Sequence, residues 1–308
     1  MAIKIAIFGA SGFVGRGLTA RLTAGGFDVL PVFREPVKLA GTHPFIVNLQ
    51  STEQISNFLK ETKTTHVINA VGKAHDLKNI AAPDYEEYWN TNVTIAANIA
   101  KAAASSNVCK LIYLSSSKVY GELETWECRS ENCEGIGLSL YGRSKLEGER
   151  VVLEALKGAN INPVIIRMPL VYGRGVKGNL RSLYRIIKLG VPLPLKGVYK
   201  NKRSMLSLQN LSNFIKLLIA SSELESSIFN LKDKDDYSTA DIISYIIVAN
   251  NMVDRCFSVN YKLLEYLISK YSKTMANKLL FDDKISDDLA RAKLSWVPSD
   301  VSLEDMQF

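Results

Sequence analysis

The chain opens with a short apolar run, KIAIF, that ends in GASGFVG, with Gly9, Gly12 and Gly15 at equal spacing. The next residues, RGLTARLTAGG, carry apolar side chains at helical spacing until two glycines end the pattern. A strand therefore turns sharply into a helix close to the start of the chain. Each glycine has a steric reason: Gly9 permits the turn, Gly12 lets a pyrophosphate approach the backbone, and Gly15 lets helix and strand pack closely. The helix N-terminus adds free N–H groups and positive potential at the same point. A glycine triplet alone is a weak signal. Between a strand and a helix it predicts a dinucleotide cradle built from Gly9, Ser11, Gly12, Phe13, Val14 and Gly15.

The alternation continues along the chain. DVLPVFR reads as a second strand with Pro31 as an anomaly inside it, THVINAVG as a third, and YEEYWNTNVTIAANIAKAAASS as one long helix. CKLIYLSSS is a fourth strand, YGRSKLEGERVVLEAL a helix, and NPVIIRMPLVYG a fifth strand. Strands separated by helices, without Asn-Gly hairpins, imply parallel βαβ units. The expected fold is α/β, a Rossmann-type doubly wound parallel sheet with a smaller C-terminal substrate-binding lobe of helices and loops. Residues 1–173 form the NAD(P)-binding domain in this reading, with a later contribution from about 205–235. Residues 174–204 and 236–308 form the lobe, over the carboxyl edge of the sheet where ligands sit in such folds.

At 308 residues and 47% hydrophobic, the chain can bury the core of one large domain or two interlocked ones. It contains no run of about 18 uncharged apolar residues, and its strand pattern begins at once. Neither a membrane span nor a signal peptide is expected, and a cytoplasmic location is the default. The net charge of +7 would suit nucleic acid, an anionic membrane surface or an anionic small substrate. Lys188, Lys196, Lys200, Lys202 and Arg203 gather in the loop-like stretch KLGVPLPLKGVYKNKR, where most read as solvated surface. Zinc-finger spacing, an RNA-binding aromatic signature and repeats are all lacking, so a small-molecule partner is expected, with no nucleic-acid or membrane partner. Cys109, Cys128, Cys133 and Cys256 lack paired spacing and read as free thiols, and no metal site is indicated. His66 begins a strand and His43 lies in a loop beside Pro44; His75, just after the third strand, is a minor candidate for reaching a substrate.

Tyr141 and Lys145 lie four apart in LYGRSKLEGE, so on a helix both side chains leave one face. A phenol titrates at about 10, and a neighbouring ammonium together with a cationic nicotinamide favours the phenolate. That brings proton transfer into reach near neutrality. The pair alone is better accounted for by an ordinary amphipathic helix. Upstream, the strand end YLSSSKVYG adds hydroxyls at the carboxyl edge of the fourth strand, where one can hydrogen-bond a substrate oxygen while Tyr141 moves its proton. At the end of the second strand, where an acidic residue normally binds the NAD ribose, the chain has Phe33-Arg34. An arginine there can pair with a 2'-phosphate, which favours NADP(H) slightly and leaves NAD(H) acceptable.

Taken in order, Gly9-x-x-Gly12-x-x-Gly15, VINAVG, NTNVTIAANIAKAA, SSSKVYG, Tyr141-x-x-x-Lys145, IIRMPLVYG, KNKRSMLSLQNL and AKLSWVP resemble the extended short-chain dehydrogenase/reductase family. The likeness is to its nucleotide-sugar epimerase/dehydratase group, of the C4 reductase or 4-epimerase type. It implies that Tyr141 is the acid/base, Lys145 its partner and a ribose ligand, and Ser116 the catalytic hydroxyl, with Ser117 beside it toward substrate. It also implies that Asn48 and Leu49 flank the adenine, that Ala70, Val71, Gly72 and Met168 line the cofactor, and that Asn92 supports the sheet edge beneath it. Asn179 and Arg203 match residues that contact a sugar nucleotide's diphosphate, and a homodimer through the two long helices is implied as well.

The family's dehydratases carry Asp-Glu directly after the catalytic hydroxyl, whereas this chain has Ser117 and Lys118. Hydride transfer without elimination of water is therefore expected. The leading reading is an NAD(P)-dependent oxidoreductase acting at C4 of a nucleotide-diphosphate sugar, in particular a UDP-sugar of bacterial surface polysaccharides. A 4-keto reductase ranks slightly ahead of a 4-epimerase with tightly held NAD, on the strength of Arg34. A non-catalytic dinucleotide-sensing protein is the remote alternative, disfavoured because both Tyr141 and Lys145 are present.

Overall fold

The computed structural model describes residues 2–35, 44–74, 85–121, 128–221 and 224–308. The glycine turn joins strand β1 (Lys4–Phe8) to helix α1 (Phe13–Ala24), followed by β2 (Asp28–Phe33), β3 (Phe45–Ile46), α2 (Thr52–Glu61) and β4 (His66–Asn69). Helix α3 (Tyr85–Trp89) runs through a π turn (Asn90–Thr94) into α4 (Ile95–Ala104), and β5 (Lys110–Ser116) runs into a 3-10 turn (Ser117–Tyr120). Then come α5 (Leu140–Ala155), β6 (Asn162–Met168), β7 (Leu170–Tyr172), α6 (Asn179–Lys188), β8 (Arg203–Ser207), α7 (Leu208–Ala220) and β9 (Ser227–Asn230). The chain ends with β10 (Asp236–Tyr237), α8 (Thr239–Ala249), α9 (Tyr261–Tyr271), α10 (Lys273–Leu279) and α11 (Asp288–Leu294).

Seven strands form one sheet in the order β3-β2-β1-β4-β5-β6-β9, and every pairing in it is parallel. The order reverses between β1 and β4, which is the crevice where doubly wound sheets bind ligands. This is the Rossmann-type fold expected from the sequence. One face of the sheet is covered by a cluster that includes Phe58, Ile99 and Val152 from α2, α4 and α5. The other face is covered by Leu18, Leu22, Leu211 and Phe214 of α1 and α7, with Trp296 against them. A third cluster, around Tyr184, Ile246 and Leu264, joins α6, α8 and α9.

Four local expectations change. Pro31 is tolerated because it pairs with β1 opposite Ile7, while the ladder to β3 begins only at Val32. Its missing N–H therefore falls on a side with no neighbouring strand. The run NPVIIRMPLVYG is two strands: Pro169, which cannot donate to a ladder, separates β6 in the main sheet from β7 in a second one. In that second sheet, β10-β8-β7, only β10 and the start of β8 fall in stretches read as helices and loops; β10 has only two residues and gives no periodic signal. The helix after the third strand is interrupted by its π turn, a widening that often sits at functional positions. Helix α2, between the second and third strands recognised from sequence, and β9, at the sheet edge beside β6, complete the βαβ series.

The glycine turn is close to its steric limit. A Cβ added at Gly15 would lie 2.3 Å from the Gly9 carbonyl oxygen, and Gly9 itself has φ +81 with backbone atoms of Ala70 and Val71 2.8 Å from its would-be Cβ. Gly15→Ala must therefore push α1 away from β1, at an overpacking cost of about 1–3 kcal/mol. The midpoint of urea unfolding, monitored by circular dichroism, is expected to fall accordingly with an unchanged slope.

Candidate active site

The first half of the site is built by the ends of β1, β2 and β4. Gly12 caps α1 without a side-chain hydrogen bond, so its first turn leaves backbone donors available, and Gly12 N–H itself bonds Gly9 O at 3.0 Å. Ser11 is exposed beside this turn, its carbonyl accepting from Arg16 at 3.0 Å, and Phe13 and Val14 start the helix. Beyond the end of β2, exposed Arg34 lines a cavity of about 310 Å³ together with Asn48, Leu49, Gln50, Gln54 and Ile95. The sequence candidates Arg34, Asn48 and Leu49 are thus brought to one hollow. Ala70, Val71 and Gly72 come directly after β4, where Val71 N–H donates to Asn69 Oδ1 at 3.0 Å. Among the described residues the buried Asn69 Nδ2 has no hydrogen-bond partner. A tight glycine turn, an unencumbered helix N-terminus and a hollow with an arginine on it fit a nicotinamide dinucleotide.

The second half lies where β5 and β6 end and α5 begins. Ser139 caps α5 by accepting from Gly142 N–H at 3.2 Å, which starts the helix just before Tyr141. Lys145 is 3% exposed; its ammonium donates to Leu114 O at 2.7 Å and lies 4.2 Å from the centre of the Tyr113 ring. A Cβ on Gly72 would be 3.8 Å from Lys145 Nζ and 3.5 Å from Asn92 Oδ1, so the two halves meet here. Burial pushes the Lys145 pKa down to about 7, with Glu149 opposing. Ser116 ends β5 in register with Met168, the last residue of β6, and its hydroxyl accepts from Lys118 N–H at 3.2 Å. Tyr141 is half-buried, its ring 6.4 Å from that of Tyr88.

The π turn explains the placement of Asn92. Its side chain accepts from Lys73 N–H at 2.9 Å and donates to Lys73 O at 3.2 Å and to Ser144 Oγ at 2.8 Å, while its carbonyl accepts from Tyr113 at 3.2 Å. One residue thus ties the segment after β4 to α5. Below it, Glu149 binds Arg167 through three contacts of 2.7 to 3.2 Å and accepts from Ser115 at 2.5 Å. Arg167 also donates to Tyr120 Oη at 3.0 Å, and Tyr120 donates to Asn230 at 2.7 Å. Sequence reading passed over Glu149, although its position four residues after Lys145 places it on the same helical face. Arg167, Tyr120 and Asn230 carried no local signal, since only the sheet brings them together.

Some candidates stand apart. Arg203, in β8, donates to Asn277 O and Phe281 O at 3.1 Å each and pairs with Asp283 at 3.3 Å. Asp283 also binds Lys118 at 2.9 Å and Arg129 at 3.2 Å; burial opposes its ionisation, but these cations hold its carboxyl below the ordinary range. Asn179 is exposed at the start of α6, and Ser117 is buried in the 3-10 turn. The four cysteines are free thiols, as expected. His66 lies in β4 with its pKa lowered to about 4 by burial and by Lys110, which fits a structural role. His43 and His75 lie outside the described residues. Among the described residues there is no cluster of metal ligands, and no helix is long and apolar enough to cross a membrane.

Residues 5–231 match the model of the NAD dependent epimerase/dehydratase family. The chain is 32% identical to a UDP-glucose 4-epimerase of Vibrio cholerae over 249 residues, 80% of this chain and 75% of that protein. It is 27% identical to a dTDP-6-deoxy-L-talose 4-dehydrogenase of Kitasatospora kifunensis over 57% of this chain and 55% of that one. Among solved structures, the UDP-glucuronic acid 4-epimerase of Bacillus cereus in complex with NAD has the same fold, with a TM-score of 0.75 at 20% identity over 98% of this chain and 94% of that chain.

The depressed pKa of Lys145 has a consequence for stability. The unfolded lysine titrates near its ordinary value of 10.5 and the folded one at about 7, so between these values the unfolded chain binds the extra proton. Folding stability therefore gains with rising pH across that window from this residue, and the gain is absent below it. The stability difference between the native protein and Lys145→Met, measured by urea unfolding at steps from pH 6 to pH 10 (roughly the window set by the two values), is expected to move in favour of the native protein as pH rises.

Proposed function

The chain belongs to the NAD-dependent epimerase/dehydratase family, and from that premise we propose that it acts at C4 of a nucleotide-diphosphate sugar, catalysing 4-epimerisation of a UDP-sugar. The observation that carries this reading is the state of the two residues directly after Ser116. Ser117 is buried and Lys118 is engaged by Asp283, so the two positions that hold a carboxylic acid pair in dehydratases offer no carboxyl group to the site. The edge is left with a hydroxyl, a phenol and a buried ammonium. That set suits reversible movement of hydrogen at a carbinol carbon.

Residues of the glycine turn, with Arg34, Asn48, Leu49, Ala70, Val71, Gly72 and Met168, would hold the dinucleotide, which when bound takes up and returns hydride. Tyr141 removes the proton from the C4 hydroxyl in the first half-reaction and gives it back in the second. Ser116 hydrogen-bonds the same oxygen and fixes it against Tyr141. Lys145 lies deep enough for its charge to act through a medium of low dielectric, where it favours the phenolate of Tyr141. Its position beside Gly72 suits contact with the nicotinamide ribose. Asn179 and Arg203 belong to the diphosphate subsite in this reading, with Arg203 exchanging part of its bonding to Asp283 for the ligand. Residues 174–204 and 236–308 act as the sugar-binding lobe, and a homodimer through the α3–α4 helix and α5 belongs to the same proposal.

The order of the two C4 reactions reverses that of the sequence reading. The 4-epimerase relative matches more of the chain at higher identity than the 4-dehydrogenase does. Net 4-keto reduction with NADP(H) keeps one supporting observation, Arg34 on the rim of the adenine-side hollow, where its guanidinium can pair with a 2'-phosphate. Denaturing the purified protein and weighing the released dinucleotide separates the two: one NAD per chain is expected, whereas an empty protein that binds added NADPH supports reduction. Turnover in deuterated water is expected to leave C4 of the product unlabelled, since the same hydrogen leaves and returns; deuterium at C4 would exclude the closed cycle. Tyr141→Phe is expected to lower kcat by about 10²–10⁴-fold with little change in KM. Retained turnover would remove Tyr141 from the proton-transfer role.

A further inference from the structure

The positive charge of this chain is concentrated in one part of the lobe. Residues 185–200 and 251–278 hold nine lysines and arginines against two acidic residues, Asp254 and Glu265. The whole chain has 38 and 31, so the remainder holds 29 of each, and these 44 residues account for the entire net charge of +7. The two stretches lie side by side: Phe257 N–H donates to Leu193 O at 3.0 Å, and Lys196 N–H to Phe257 O at 3.2 Å. Helix α9 starts four residues later.

The same surface is rich in exposed apolar side chains. Leu189 is 80% exposed, Val253 73% and Tyr271 83%. Within α9, Leu264 and Ile268 face the lobe core, while Leu263, Tyr266 and Leu267 are each more than half exposed on the opposite side, between Lys262 and Lys270. A helix that is apolar on both faces ordinarily has both covered. This one presents leucines, an aromatic ring and lysines together to water, the composition of a helix lying in a membrane interface.

We propose that this basic, apolar face of the lobe docks peripherally on an anionic phospholipid surface. This departs from the sequence-based expectation of no membrane partner, which rested on the lack of a membrane span and does not reach a face that lies on a bilayer. Charge selects the partner. A second copy meeting this face would bring two concentrations of positive charge together, and a nucleic-acid backbone would leave the leucines and valine uncovered. An anionic bilayer satisfies both features, because lysines meet headgroups while Leu263, Tyr266 and Leu267 enter the boundary beneath them.

Flotation of the full chain with vesicles tests this. Binding is expected to vesicles of phosphatidylcholine mixed with an equal part of phosphatidylglycerol, not to phosphatidylcholine alone, and is expected to vanish at about 0.5 M salt, where charges are screened over a few Å. Lys270→Ala is expected to weaken partitioning about fivefold and Lys262→Glu/Lys270→Glu at least about a hundredfold. Tyr266→Ser/Leu267→Ser is expected to weaken it with the salt dependence kept. Circular dichroism and melting temperature check that each variant is folded. Failure to float with anionic vesicles, equal binding to neutral ones, or undiminished binding by the folded variants overturns the proposal. A dimer lost in Tyr266→Ser/Leu267→Ser, without vesicle binding, would overturn it in favour of a second copy. Salt-dependent association with duplex DNA, again without vesicle binding, would overturn it in favour of nucleic acid.

Discussion

The buried pair of Glu149 and Arg167 fixes the helix that carries Tyr141 and Lys145 to the strand that ends beside Ser116. Both residues are nearly inaccessible, and their three contacts join α5 to β6 across the sheet face. Two buried charges are costly to desolvate, and such a pair is retained only with good geometry and further hydrogen bonds. Ser115 and Tyr120 supply them, and Tyr120 is held in turn by Asn230. A rotation of α5 by one residue would leave Glu149 without its partners and move Lys145 away from Leu114. The ion pair thus selects one docking of the helix among those its apolar face would permit.

The electrostatics of the edge derive from that docking. Lys145 sits one helical turn before Glu149, deep enough that burial outweighs the carboxylate and its pKa falls to about 7. Arg167 stays protonated: burial works against its charge, but Glu149 and Tyr120 outweigh it and raise its pKa. A second polar centre, Asp283 among Lys118, Arg129 and Arg203, ties the 3-10 turn after β5 to β8. Three cations against one carboxylate leave positive charge in excess beside the position at which a negatively charged diphosphate is proposed to bind.

The fold and the core of the site were largely legible in the sequence, for local reasons. Gly12 and Gly15 are required by contacts with Gly9 and Ala10, and Gly9 by its positive φ as well as by the distant backbone of Ala70 and Val71; Tyr141 and Lys145 are set by the pitch of one helix. The hollow holding Arg34, Asn48 and Leu49 joins residues that leave adjacent strands. Other features gave no such signal. The π turn at Asn90–Thr94 comes from how that helix meets Lys73, Tyr113 and Ser144. Pro31 looks wrong inside a strand until the start of β3 at its far side is known. Most of the basic stretch 188–203 read as a solvated loop, with Arg203 alone expected at a diphosphate; Arg203 belongs to a strand and its side chain is tied to Asp283, 80 residues on.

By itself, then, the sequence determined the parallel α/β architecture, the glycine turn and the placement of Tyr141 and Lys145 on one helical face, because each rests on steric or periodic rules that act over one or two turns of chain. Only the tertiary structure decided which polar groups are buried together. Glu149 with Arg167, Asn92 with Ser144, and Asp283 with its three cations are separated by 18 to 165 residues and meet through the sheet and the lobe. Burial depends on the whole packed molecule, and so do the desolvation that shifts Lys145 and the gathering of charge on one face.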